Sequence, residues 1–482
     1  MWFSFLSIDI FCRNNLNLFK RKEHDTKSPE LIVITPDFNS MIRITFWNGL
    51  GFIFFTFIKS YVVIYFFGGS GVDLGIIMAL QPLARLFSMP IIAYLTDHAS
   101  KKRLVLIGSM GRTLAYFLYW FSLVIRNLYF FGAGVFLQGV LVGFFWPPFF
   151  SLISEKSHKE SRTHALAKGR GQMIGYGFLL GALLSIPLFS LVSIFMPDNV
   201  PLMYSPLLIF AVINLIAGHR FYLRVDETLT FERYCASLED SDLKDCIVGE
   251  NEGDNDNIQK QVDFSETEEN DSKRPGKEFY IGFTFLILAI LMTSITGTVY
   301  SPFISAYLIE NLITGFSDRI IPIIVMIVYF PAQVLSQLVA SKLGKIFDRI
   351  SASVSATALG VFKALMIWLL IVTLTPIDFA VILIFLYIAL ESNRYFIQAI
   401  MSRISIKHRG KMFGLNMWID QLGRIIGPLI GGFLWDTLTY DAPFIISIYI
   451  GLGLIPIFIL GIRIISPNMV EQVSNDAKSV NL

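Results

Sequence analysis

Apolar residues in this chain gather into runs of about 20 that recur along its whole length. Wound as a helix at ~1.5 Å per residue, such a run crosses the ~30 Å hydrocarbon core of a bilayer. Helix is the element to expect, because lipid offers no partner to a free backbone N–H or C=O. A transmembrane β-barrel would instead show short segments alternating apolar and polar residues, a pattern the sequence does not have. The overall balance agrees: 54% of the 482 residues are hydrophobic and 16% charged, against about 25% charged in soluble domains.

About twelve spans can be drawn, at roughly 43–66, 73–95, 104–125, 128–152, 170–193, 204–223, 280–309, 320–341, 352–374, 378–402, 412–435 and 442–465. Between the sixth and seventh lies a polar stretch, about 224–278, where acidic residues outnumber basic ones by more than two to one. Segments such as GENEGDNDN bury too little apolar surface to offset the entropy of ordering them, so this stretch reads as a disordered linker. The expected organisation is an N-terminal segment (1–42), a six-helix bundle (43–223), the acidic linker (224–278), a second six-helix bundle (279–466) and a tail (467–482).

Lys and Arg mark one set of loops. Lys101, Lys102 and Arg103 follow span two; Lys156, Lys159, Arg162, Lys168 and Arg170 follow span four. Lys342, Lys345 and Arg349 follow span eight; Arg403, Lys407, Arg409 and Lys411 follow span ten. The alternate loops hold little beyond Arg126 and Arg319. By the positive-inside rule the basic loops, both termini and the linker are cytoplasmic, in a plasma or cytoplasmic membrane by default. Residues 1–40 read in two ways. They form an interfacial helix with Lys20, Arg21 and Lys22 at anionic headgroups, or translation starts at Met41 and they are not made.

The halves repeat one another. Asp97-His98 after span two aligns with Asp348-Arg349 after span eight, and Arg170-Gly171 before span five with Arg409-Gly410 before span eleven. Such duplication is common in transporters, whose substrate site lies near the midplane between the repeats.

On these residues the chain resembles the major facilitator superfamily over spans one to twelve. That family's motif between spans two and three is G-x-L-x-D-R-x-G-R-R. Here Ala93, Leu95, Asp97, His98, Ser100, Lys101 and Lys102 stand at those places, so the aspartate and the basic pair remain while both glycines and the first arginine do not. The resemblance implies that Asp97, Lys101 and Lys102, with Asp348 and Arg349 in the second copy, form a cytoplasmic gate. A second family motif, G-x-x-x-G-P-x-x-G-G, is matched by GRIIGPLIGG, Gly423 to Gly432. The family's antiporters carry it in span five; here it is in span eleven. Gly427, Pro428, Gly431 and Gly432 are read as close packing and a bend. A third motif, R-x-x-Q-G in span four, keeps Gln138-Gly139, but Val135 replaces its arginine. The resemblance implies an all-α fold of two pseudo-symmetric six-helix bundles acting as a monomer.

Charge inside a membrane is costly and marks function by default. In span ten, Glu391, Arg394 and Gln398 share one helical face. They either contact substrate or ion directly, or Glu391 and Arg394 simply neutralise each other. In span one, Lys59 shares a stripe with Asn48 and either enters the cavity or snorkels to the interface. Thr296 and Tyr300 in span seven and Gln138 in span four complete the candidate cavity, since the resemblance places spans one, four, seven and ten around it. Asp420 and Arg424 in span eleven, at i and i+4, read as a gating or interhelical pair, with Arg85 in span two at the interface between halves. Lys363 in span nine has no evident partner.

Other chemistries lack their residues. No P-loop, His/Cys metal spacing or nucleophile–base set is present, and Cys12, Cys235 and Cys246 form no framework. The expectation is therefore no enzyme, cofactor, metal or nucleic-acid partner. The chain reads as a secondary transporter of a small solute by alternating access, coupled to a proton or cation gradient. Its Phe content leans slightly to efflux of lipophilic compounds over uptake of a polar metabolite, while the polar stripe of span ten leans to a polar or anionic solute. The alternative is a non-transporting receptor or sensor on the same fold.

Overall fold

The computed structural model describes residues 34–157, 177–237, 277–317, 319–347, 351–404 and 409–465. Each of the twelve apolar runs coincides with helix, and among the described residues the one extended pairing is an isolated bridge between Ile34 and Ser157. Among the described residues nine helices are long and apolar enough to cross a membrane. The rest fall outside this set. Span one is broken, and span eleven is interrupted by Asp420, Gln421 and Arg424; in span eight the apolar stretch Ile321–Ser336 runs up to residues whose side chains lie outside the described ones.

Helix starts follow their capping chemistry. Span two, Gly71–His98, opens on a reciprocal box in which the Ser70 hydroxyl accepts from the Asp73 N–H and the Asp73 carboxylate accepts from the Ser70 N–H at 2.8 Å. The Asn127 side chain accepts from the N–H groups of Tyr129 and Phe130 to start span four.

Three spans are discontinuous. Span one, drawn from sequence as a single run from 43, instead begins at Phe38. It passes through a 3-10 turn at Trp47–Gly49 and a second helix, Phe52–Tyr61, into a π-helical turn at Val62–Phe66. Span four pauses after Leu128–Val142 and resumes at Trp146–Glu155, with Pro147 and Pro148 in the first turn, where a missing N–H costs nothing. Span seven breaks at Ser301–Phe303, around Pro302, between Lys277–Tyr300 and Ile304–Leu312.

In the first bundle span three (Lys101–Val124) packs against spans four and six; in the second, span seven packs against eleven and twelve, and span eight against ten. The main junction between bundles is span two against span eleven (Arg409–Thr437). Hydrogen bonds join the bundles at the end away from the basic loops. The Asp436 carboxylate accepts from the N–H groups of Gly71 and Val72, the Tyr65 hydroxyl donates to Glu310 at 2.9 Å, and Ser193 donates to the Arg319 carbonyl. Toward the basic end, span two exposes Phe87, Ile91 and Tyr94, and span eleven exposes Met417 and Trp418.

At the basic end one lysine ties three segments together. Lys156, 1% exposed, pairs with Asp37 at 2.7 Å and donates to the carbonyls of Asp226 and Leu229. The Asp226 carboxylate itself turns to the Thr228 hydroxyl and N–H, which hold it below the usual carboxylate range. Residues from Ile34 onward are thus packed into the fold, with Phe38 and Met41 fully buried.

Candidate functional site

Charged side chains from four spans meet at the junction between the bundles. On span eleven the Arg424 Nε donates to the Asp420 carboxylate at 2.7 Å, and Ser294 of span seven donates to the same carboxylate at 2.9 Å. On span ten the Arg394 guanidinium spans both Glu391 oxygens at 3.1 and 3.2 Å. From the first bundle, Lys59 of span one donates to the Gln81 amide oxygen at 3.3 Å, and Arg85 lies one turn along span two from Gln81.

The pairs are close enough to feel one another. Lys59 is within coulombic reach of Arg85 and Arg424, Arg85 of Asp420 and Arg424, Asp420 of Arg394, and Arg424 of Glu391. Among the described residues four basic side chains therefore stand around two carboxylates, an excess of basic groups where the low dielectric makes charge matter most. Both pairs keep an open side: Arg394 is 39% exposed, Arg424 35% and Asp420 36%. A planar guanidinium that already holds a carboxylate at this geometry has donors suited to a second anion.

The structure thus brings together Lys59, Arg85, Glu391, Arg394, Asp420 and Arg424, and turns Lys59 inward to Gln81. It holds other candidate residues elsewhere. Gln138 is buried inside the first bundle, where its amide oxygen accepts from the Tyr119 hydroxyl at 2.8 Å. Asn48 is fully buried beside span three, Thr296 bonds to the Thr293 carbonyl of its own helix, and Tyr300 lies in the apolar core against Phe444. The Gln398 side chain, Asp348 and Arg349 lie outside the described residues.

At the gate position Asp97 is exposed on the last turn of span two. Lys101 pairs with Glu155 at 2.9 Å, while the Lys102 backbone N–H and the Ser100 hydroxyl both donate to Glu227. These bonds join the first bundle to itself and to the start of the stretch that follows it, and none reaches the second bundle.

The small residues of span eleven serve two neighbours at once. A Cβ on Gly427 would meet Thr298 and the Ile295 carbonyl; one on Gly431 would meet the Val299 carbonyl. Both press span eleven onto span seven. Gly432 lies on the Gly71 backbone and the Pro428 carbonyl lies on Gly75, which presses it onto span two.

Sequence reasoning missed three charges. Arg112 in span three is fully buried and donates to the Asn48 carbonyl at 2.7 Å, with its guanidinium over the rings of Phe52 and Phe145 at 4.5 and 5.0 Å. The 3-10 turn of span one frees that carbonyl, and Arg112 supplies the donor. Glu310 and Asp436 bridge the bundles. Each was legible as a charge at or inside an apolar run; its partner, on a distant span, was not.

The family model described as Major Facilitator Superfamily matches residues 41–233 and 285–481. No curated protein matches the sequence. Among solved structures the chain is similar to the nucleoside transporter NupG, at 13% identity and a TM-score of 0.60 over 89% of this chain and 99% of that one. It is similar to a structure of proton dependent oligopeptide transporters, at 14% identity and 0.62 over 89% and 98%. It also resembles a bacterial homologue of the human lysosomal transporter Spinster in an inward-facing conformation, at 13% and 0.61 over 90% and 99%.

Proposed function

This chain belongs to the major facilitator superfamily, as an integral multi-pass membrane protein of a transporter family, and we propose that it carries a small anionic solute across the membrane by alternating access. The observation that carries this reading is the cluster at the junction of the bundles, in which Lys59, Arg85, Arg394 and Arg424 outnumber Glu391 and Asp420. A cationic or lipophilic solute would meet an unfavourable field there, whereas a carboxylate or phosphate would gain charge-assisted hydrogen bonds. The lean toward efflux of lipophilic compounds therefore gives way to a polar, anionic solute.

The two ion pairs suggest how the solute is coupled. An anion taking the Arg394 guanidinium competes with Glu391, and the released carboxylate becomes available to a proton or cation. Solute and coupling ion would then move together. Positive-inside topology places the basic loops and both ends of the transport core on the cytoplasmic side of a plasma or cytoplasmic membrane. With the bundles bonded at the opposite end, the cluster faces the cytoplasm in this state. The unit is a monomer, and the acidic stretch at about 224–278 joins the two bundles; its first residues, expected to be disordered, are instead held to the first bundle through Asp226, Glu227 and Leu229 and form the helix Phe231–Ala236.

The test is a melting screen of the purified protein in detergent, wild type beside Glu391→Gln/Arg394→Ala, against organic carboxylates, phosphates, neutral metabolites and cationic lipophiles. A ligand raises Tm through RT ln(1 + [L]/Kd). Anions should raise the wild-type Tm and leave the double variant unmoved. Stabilisation by cationic or neutral compounds, with every anion silent, would overturn the reading.

A further inference from the structure

Outside the junction, one more charge lies deep in the second bundle. Lys363 sits midway along span nine (Ala352–Val372) and is 6% exposed. It makes no hydrogen bond or ion pair with any described residue. Its Nζ lies 3.9 Å from the position of a Cβ on Gly451 of span twelve, so the small residue there makes room for the ammonium. Around it is a cavity of about 40 Å³, bounded by Thr293 of span seven, Asn393 of span ten, Gly360 and Lys363 of span nine, and Gly451 and Ile455 of span twelve. The remaining wall is apolar, formed by residues such as Leu359 and Phe458.

An ammonium ion in such surroundings must find a negative partner or lose its proton, because an isolated charge in a low-dielectric interior is prohibitively costly. Among the described residues no carboxylate lines the cavity. What lines it instead is the ammonium, which only donates, with the Asn393 amide and the Thr293 hydroxyl, which can donate as well as accept. By the same measure a water needs about 10–15 Å³, so the cavity has room for a small ion with a water or two beside it, and is too small for a drug-sized solute.

We propose that Lys363, Asn393 and Thr293 form a binding site for a small monovalent inorganic anion, chloride being the natural occupant. It is distinct from the solute cluster on spans ten and eleven. It lies where four spans of the second bundle meet, so its occupancy would tie span nine to spans seven, ten and twelve.

The experiment uses the full-length protein in detergent. Radiolabelled chloride binding and Tm are measured at constant ionic strength, as sodium gluconate is replaced stepwise by sodium chloride. Wild type should bind chloride saturably and melt higher in chloride. Lys363→Met should lose both responses, and Lys363→Arg should keep chloride binding. Absence of saturable binding to the wild type would overturn the proposal whether or not the variants fold, and so would undiminished binding by a folded Lys363→Met. Glu391→Gln/Arg394→Ala should bind chloride as wild type does, so this site and the solute site can fail separately.

Discussion

The carboxylate of Asp436, in the last turn of span eleven, accepts from the backbone N–H groups of Gly71 and Val72 at 2.8 Å each, capping the first turn of span two across the boundary between the bundles. These are donors that a helix start leaves without intrahelical partners, and the positive end of the helix dipole favours the anion. Ser70 and Asp73 satisfy the same turn from within the chain. Asp436 therefore contributes chiefly to the junction and little to the formation of span two itself.

Asp436→Ala should accordingly leave the protein folded but bias it away from the state closed at this end. A charge-assisted pair of this kind contributes about 1.5–3 kcal/mol, a shift of roughly tenfold or more in the ratio of the two states. Labelling of a cysteine at Tyr61 by a membrane-impermeant thiol reagent from the side of Gly68 should speed up accordingly. An unchanged labelling rate would show that Tyr65–Glu310 and Ser193–Arg319 suffice to hold the bundles together.

Arg394→Ala should weaken binding of an anionic solute by about ten- to hundredfold, the loss expected for hydrogen bonds to a charged group. Its effect on Tm should be modest, because Arg394 is 39% exposed and Arg424 remains within coulombic reach of the mostly buried Glu391 once it is gone. Solute titrations followed by tryptophan fluorescence, with melts run beside them, separate the two effects. A large Tm loss without a change in affinity would make the pair structural.

Gly431→Val should prevent proper folding. The added side chain would meet the Val299 carbonyl and the Phe303 ring, and a backbone oxygen cannot step aside as a side-chain tip can. Overpacking typically costs 1–3 kcal/mol, and a β-branched residue at this contact sits at the upper end. Gly453→Val is the control, since nothing lies near that Cβ. Detergent-solubilised yield and gel-filtration profile of the two variants check this.

Removing residues 1–40, so that Met41 comes first, should lower Tm markedly. Lys156 is 1% exposed and would lose Asp37 as its counter-ion, and breaking a buried pair from one side costs about 3–5 kcal/mol. Phe38, fully buried, would be lost with it. Asp37→Ala alone should reproduce much of the effect. A truncated chain as stable as the full one would show that Lys156 is held well enough by the Asp226 and Leu229 carbonyls.

Much of the architecture was legible in the residues, because lipid imposes a one-dimensional rule. A helix must run about 20 apolar residues before the chain turns, and that rule can be read without knowing any neighbour. The same holds for the break at Pro302 and for the small-residue stripe of span eleven, since proline lacks a donor and glycine lacks a Cβ wherever they sit. The pairings Glu391–Arg394 and Asp420–Arg424 were legible too, being three and four residues apart on one helix.

What the tertiary structure alone decided is which distant residues share a space. Lys59, in an isolated span, serves equally to snorkel or to point inward, and only the arrival of Gln81 from span two turns it to the junction. Gln138 and Asn48 carry no mark of facing Tyr119 and Arg112 in place of a cavity. Asp436 carries none of capping a helix that begins 365 residues earlier. Helical periodicity determines which residues share a face, but the rotation of each helix about its axis is set by the packing of all its neighbours. That rotation sorts the same polar residues into ligand, latch or core.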